Sequence, residues 1–282
     1  MMFNLLSGRV QTLLYTALFF ALLPGLSIAQ LDVQPNLTLD EYVNEVLLGD
    51  GVSAFNITYT GGANQLGKLI NGADSDYAFD EGLVMSTANA KGIGCSSAVC
   101  MDCLGTSVTD SSLLAIANSV PGLIGQSFEV TSLYDVSILE FDFVASGDSI
   151  GFDYIFGSDE YNNWINTPYN DVFGFFLSGP GIEGPFESPA AFPNGAVNIA
   201  GVPGSDPNLP ITVSSVNAEL NAEYFIPNLP YEGICINGYT QVFHAGHAVE
   251  CGQTYHIKLA IADGSDAGVE SVVILDKNSF TS

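Results

Sequence analysis

The stretch LEFDFVASGDSIGFDYIF, residues 139–156, decides the fold. In Leu139-Glu140-Phe141-Asp142-Phe143 apolar and acidic side chains alternate strictly. A period of two puts every second side chain on one side of an extended chain, so this run is a strand with one buried face. Ser146-Gly147-Asp148 supplies a turn, after which Ile150, Phe152, Tyr154 and Phe156 alternate again. Two such runs joined by a short polar turn predict a β-hairpin.

The neighbouring segments extend the pattern. Gly157 to Asn170 (GSDEYNNWINTPYN) is a polar loop studded with aromatics, and Asp171 to Leu177 (DVFGFFL) is a buried strand that Ser178-Gly179-Pro180-Gly181 stops. Further strands are predicted over 52–60, 82–87, 239–244, 254–262 and 269–275; in the fourth of these Tyr255, Ile257, Leu259 and Ile261 share one face. Thr38-Leu39-Asp40-Glu41 is a capping box that opens a short helix with Tyr42, Val43, Val46 and Leu47 on its apolar side. A second short helix is predicted over 110–118. The 30 Gly and 13 Pro are scattered as turn signals through the chain. The expectation is an all-β chain, an antiparallel β-sandwich of jelly-roll type with one or two short helices. It forms a single domain over 38–282, with residues 30–37 as a lead-in.

The first 29 residues read as a secretory signal peptide. Arg9 gives the positive start, Leu13 to Leu23 the apolar run, Pro24-Gly25 the break and Ser27-Ile28-Ala29 the small-residue cleavage site. The run is shorter than the ~20 residues a membrane span needs. The signal holds one of the five basic residues and none of the 31 acidic ones, so the mature chain carries a net charge of −27. Such a polyanion excludes nucleic acid and anionic membrane surfaces as partners and favours cations, with calcium the expected one outside a cell. Cys95, Cys100, Cys103, Cys235 and Cys251 are disulfide candidates in that compartment: Cys235 with Cys251 across neighbouring strands, and two of the first three closing a small loop.

Several segments together resemble the choice-of-anchor L domain, a module of bacterial secreted and surface proteins. They are Phe79 to Thr87 (FDEGLVMST), residues 141–182 (FDFVASGDSIGFDYIFGSDEYNNWINTPYNDVFGFFLSGPGI), Asn198-Ile199-Ala200, Ile211-Thr212-Val213 with Val216-Asn217, Asn237-Gly238-Tyr239-Thr240, and Cys251 to Asp263 (CGQTYHIKLAIAD). The likeness runs in order over residues 36–282. It departs from the family at Asp266-Ala267-Gly268-Val269-Glu270, and the C-terminal anchor or sorting signal that usually follows this module is not found before Ser282. The resemblance implies an extracellular, surface-type location. It implies little about activity.

The residues with chemical potential lie in the loops. Asp159, Glu160, Asn170 and Asp171 stand at the two ends of one loop, with Asp263 and Asp266 in another. Oxygen ligands converging from two loops at a sandwich end would suit calcium. Asp74, Asp76, Asp80 and Glu81 form a weaker acidic cluster. Tyr161, Trp164 and Tyr169 could stack on sugar rings, making glycans or surface proteins the expected partners. His244 and His247 with Cys251 have the residue types of a zinc site. No nucleophile elbow and no phosphate-cradling glycine loop is present, and no carboxylate pair stands out as a glycosidase pair. The expected function is a secreted or cell-surface, non-catalytic binding or adhesion module, stabilised by calcium. The alternatives are a polysaccharide-acting enzyme and a structural spacer of a larger surface protein.

Overall fold

The computed structural model of the chain describes residues 31–72, 78–94, 108–231 and 233–282. Among these, thirteen strands make two antiparallel sheets. Sheet one runs β1 (Asp32–Gln34), β3 (Leu66–Ile70), β4 (Gly82–Ser86), β13 (Ser271–Asp276), β6 (Ser149–Ser158), β10 (Gly238–Thr240) and β9 (Phe225–Pro227), and β11 (Phe243–Ala248) also pairs with β6. Sheet two runs β2 (Ala54–Thr60), β5 (Leu133–Val144), β12 (Thr254–Gly264), β7 (Val172–Ser178) and β8 (Val197–Asn198). The all-β sandwich expected from the alternation is the architecture found.

The hairpin is not. Residues 139–143 lie in β5, which pairs with β2 and β12, whereas β6 pairs with β13, β11 and β10. The turn at Ser146-Gly147-Asp148 therefore carries the chain from one sheet to the other. Alternation states which side chains face the core but not which strand lies alongside. The two aromatic faces meet across the interior instead. Phe280 sits between them, with ring centroids 5.6 Å from Phe141, 5.1 Å from Phe143 and 5.3 Å from Phe152.

The lead-in is also corrected, because Asp32, Val33 and Gln34 pair with Ile70, Leu69 and Lys68. The capping box forms: Thr38 N donates to Glu41 Oε2 at 2.7 Å and Glu41 N to Thr38 Oγ1 at 3.3 Å. The helical turns that follow, Glu41–Leu47, close wider than an α-helix, with Leu48 N donating to Val43 O at 2.9 Å, and they bury Tyr42, Val43, Val46 and Leu47. The second helix, α1 (Ser111–Leu123), is capped by Asp110 Oδ1 on Leu113 N at 2.8 Å and runs beyond the predicted end.

Both sheets are covered on parts of their outer faces. Ile93, Ile234 and Ile236 pack on Leu69, Val84, Ile155, Val272 and Ile274 of sheet one. Leu113, Ile116 and Ala117 of α1 pack with Val136, Ile138, Phe176 and Ala260 of sheet two. Strands buried on both sides need apolar residues at every position, which explains the unbroken runs GLVMS in β4 and VVIL in β13. No helix among the described residues is long and apolar enough to cross a membrane.

Candidate functional site: a buried acidic end of the sandwich

Four chain segments meet at one end of the sandwich, and three of them bring carboxylates. Glu160 follows β6, Asn170 and Asp171 precede β7, Asp263 lies near the end of β12, and Ser271 begins β13. Glu160, Asn170, Asp171 and Asp263 are all buried. Asp171 is held from three sides. Gly264 N donates to its Oδ1 at 3.0 Å, the Ser271 hydroxyl donates to its Oδ2 at 2.7 Å, and its own N–H donates to Glu160 Oε2 at 3.3 Å. Gly264 has to be glycine for this approach, since a Cβ there would lie 2.7 Å from Asn170 O. Glu160 N in turn donates to Ser158 Oγ at 2.9 Å. Asp266 is exposed, with its charge felt by Glu160 and Asp171, and marks the solvent side of the group.

The electrostatics are unfavourable as the site stands. Burial, and then the charge of Asp171, hold the Glu160 carboxyl far above the usual carboxylate range. Burial likewise raises Asp171, against the pull of its bonds to Ser271 and Gly264. Burial and the Asp171 charge push Asp263 up. Three oxygens of this group have no hydrogen-bond partner: Glu160 Oε1, Asp263 Oδ1 and Asn170 Oδ1; the Asn170 amide nitrogen has none either. An unpartnered buried polar group costs about 1–3 kcal/mol, and an unpaired charge more. Among the described residues no three His, Cys, Asp or Glu side chains are drawn together tightly enough to hold a metal ion unaided.

Of the predicted set, Glu160, Asp171, Asp263 and Asp266 lie close enough for their charges to be felt within the group, but among the described residues they form no group that could hold a metal ion, and Asp159 stands apart. Asp159 turns away from Glu160 and accepts from Asn237 N at 2.9 Å, while burial raises its pKa to about 6. Sequence reasoning missed Ser271, Gly264 and Ser158, because nothing local to them signals a partner far away along the chain. The weaker cluster is described only at Asp80 and Glu81. Asp74 and Asp76 lie outside the described residues, and Glu81 is paired with Lys68 at 2.5 Å and Lys277 at 2.9 Å, which hold its carboxyl below its usual range.

The aromatic set divides too. Tyr161 is buried against Phe225, centroids 4.6 Å apart, so it is a core residue and cannot stack on a ligand. Trp164 is 41% exposed and meets Tyr169 edge to face at 5.3 Å. The zinc grouping does not form. An offset of three along β11 sends His244 and His247 to opposite sides; His244 binds Asp153 at 2.7 Å, and the Cys251 thiol donates to Ser146 O at 3.2 Å. Cys251 is a free, exposed thiol, so it does not pair with Cys235, which is disulfide-bonded. Cys95, Cys100 and Cys103 lie outside the described residues.

Fold and site define a two-sheet β domain with an acidic, sealed end fed by long loops. The family model of the choice-of-anchor L domain matches residues 31–281, and the chain belongs to that family. Membership points to a surface-associated module with an extracellular or cell-surface location. No curated protein and no solved structure matches the chain significantly.

Proposed function

We propose that the chain is an exported, non-catalytic binding module of the cell surface whose loop end is braced by a calcium ion. The observation that carries the calcium reading is Asn170: it is fully buried, neither amide atom has a partner, and the residue next to it, Asp171, feels the charges of Glu160 and Asp263. A divalent cation would neutralise carboxylates that otherwise repel each other and would give the three unpartnered oxygens a partner. Oxygen-only ligands and an extracellular setting favour calcium over transition metals. Glu160, Asn170, Asp171 and Asp263 would hold the ion, with Asp266 at the solvent side.

Burial also supports a structural role over hydrolysis. A glycosidase needs its two carboxyls facing a substrate in a cleft. Glu160 and Asp171 are each only 1% exposed. Export is supported by the signal-peptide reading of residues 1–29, which lie outside the described residues, and by the family. Glycans or surface proteins are the proposed partners, with exposed Trp164 as a contact.

A calcium titration read by melting temperature tests the metal. Saturation at about 100 times Kd adds ~2.7 kcal/mol, or roughly 5–10 °C in a chain of this size. No rise at millimolar calcium and no fall with a chelator would remove calcium from the reading. Retention on a glycan array or on whole cells, compared with Trp164→Ala, tests the binding role separately.

A further inference from the structure

The outer face of sheet two carries a second polar constellation, which the acidic end does not use. Register builds it. Lys258 of β12 lies between Glu140 of β5 and Phe176 of β7, and His256 lies between Asp142 and Ser178. These two cross-strand rows point outward because the alternate residues, Ile257 and Leu259, fill the core. Asp110 at the head of α1 stands on one side, and Glu187, Ser188 and Pro189 rise on another. Between them lies an open cavity of about 260 Å³, with Ile138, Phe176 and Ala196 as its apolar lining.

The charges in this cavity hold each other. Lys258 Nζ donates to Asp110 Oδ2 at 2.8 Å and sits 4.5 Å over the Phe176 ring. His256 binds Asp142 Oδ1 at 2.8 Å and Glu140 Oε1 at 3.3 Å. Side chains locked in this way are preorganised and lose little entropy when a ligand arrives. One group is left over. The Ser178 hydroxyl belongs to a fully buried residue of the lining and has no hydrogen-bond partner.

We infer that this cavity is a subsite for one uncharged sugar residue of a polysaccharide. Its volume lies below the ~300 Å³ where pockets for drug-sized ligands begin, and it suits a single ring. Carboxylates only accept, so Glu140 and Glu187 call for a ligand rich in hydroxyl donors, and Ser178 can complete the set. Phe176 and Pro189 offer apolar surface to the C–H face of a ring. Asp110, Glu140, Asp142 and Glu187 outnumber Lys258 and His256, which disfavours uronates, sulfates and phosphates. A cationic ligand is also disfavoured, because the buried acids are already paired with Lys258 and His256.

The inference rests on the reading of the chain as a binding module, and the test separates the two. The whole chain is applied to immobilised neutral glucans, mannans and xylans, with an acidic uronan and cationic chitosan as controls. A neutral polysaccharide is retained, and both Glu140→Gln and Ser178→Ala weaken it about tenfold, the loss expected for one hydrogen bond to a charged or buried group. Ser178→Ala removes only an oxygen and keeps the melting temperature, so it decides the matter if Glu140→Gln proves unstable. Retention lost in Trp164→Ala but unchanged in both cavity variants overturns the subsite and leaves the binding module standing. Failure to retain any neutral polysaccharide, or retention of chitosan alone, overturns the subsite as well.

Discussion

Ser271 and Asp171 lie 100 residues apart and on different sheets, yet the Ser271 hydroxyl donates to Asp171 Oδ2 across 2.7 Å. This bond joins the start of β13 to the start of β7. It shows why the acidic end is more than a solvated rim: the carboxylate there is part of the seam between the sheets. What occupies the centre of that seam therefore affects the stability of the whole domain.

The first prediction concerns Asp171→Asn. The change removes one buried charge from a group of like charges, while the amide oxygen can still accept from Gly264 N and the amide nitrogen can donate to the Ser271 hydroxyl. Without calcium the variant should melt at or above the wild-type temperature. With calcium it should lose most of the wild-type shift of roughly 5–10 °C. Scanning fluorimetry with and without chelator reads both. A variant that is destabilised without calcium and still shifts fully with it would contradict the cation reading.

The second concerns Phe280→Ala. Phe280 is fully buried and touches aromatics of both sheets. Deleting a core phenylalanine costs about 3–5 kcal/mol, here by opening a void at the seam. The urea midpoint should fall accordingly. A loss below ~1 kcal/mol would mean that the two aromatic faces do not depend on this ring.

The third separates the partners of a buried ion pair. Lys258 and Asp110 have side chains only 9% and 10% exposed. Asp110→Ala removes the cap of α1, about 1 kcal/mol, and strands a buried ammonium, for a total of roughly 3–5 kcal/mol. Lys258→Met keeps the packing on Phe176 and leaves the cap in place but strands the buried Asp110 carboxylate, so its cost should be smaller only by the ~1 kcal/mol of the cap. A loss below ~1 kcal/mol for Lys258→Met in chemical denaturation would show that the pair does not behave as a desolvated unit.

The fourth is a pH dependence. Burial alone would lower the His256 pKa, but the hydrogen bonds and charges of Glu140 and Asp142 outweigh it, and the net shift is upward from 6.5. Lys258 and Glu187 face the same cavity. A raised folded pKa means that the contribution to stability is complete below the unfolded value and is lost as pH rises through the folded one. Wild-type stability should therefore decline between about pH 6.5 and mildly alkaline pH. His256→Gln should flatten that decline; parallel curves for the two proteins would refute the assignment.

Much of this protein could be read from residue order. The apolar faces of β5, β6 and β12 follow from alternation at Phe141, Phe152 and Ile257, because side-chain direction along a strand is a local property. The capping pair Thr38 and Glu41 was legible for the same reason, as was Asp110 at the start of a helix. The gathering of Glu160, Asn170 and Asp171 could be anticipated from their places at two ends of one loop. Asp159 could not be separated from Glu160 by sequence, since only the position of Asn237 turns its carboxylate the other way.

The sequence by itself determined that the chain is a β-sandwich with acidic loops and which residues face its interior, because hydrophobic periodicity acts over a few neighbours. Only the tertiary structure decided that β5 and β6 face each other across the core rather than pair. It alone seated Phe280 between them, set Ser271 and Gly264 around Asp171, and aligned Glu140, Lys258 and Phe176 over a cavity. Those outcomes depend on which strands become neighbours, and strand partnership is fixed by the packing of the whole chain, in which turns and alternation are compatible with more than one arrangement.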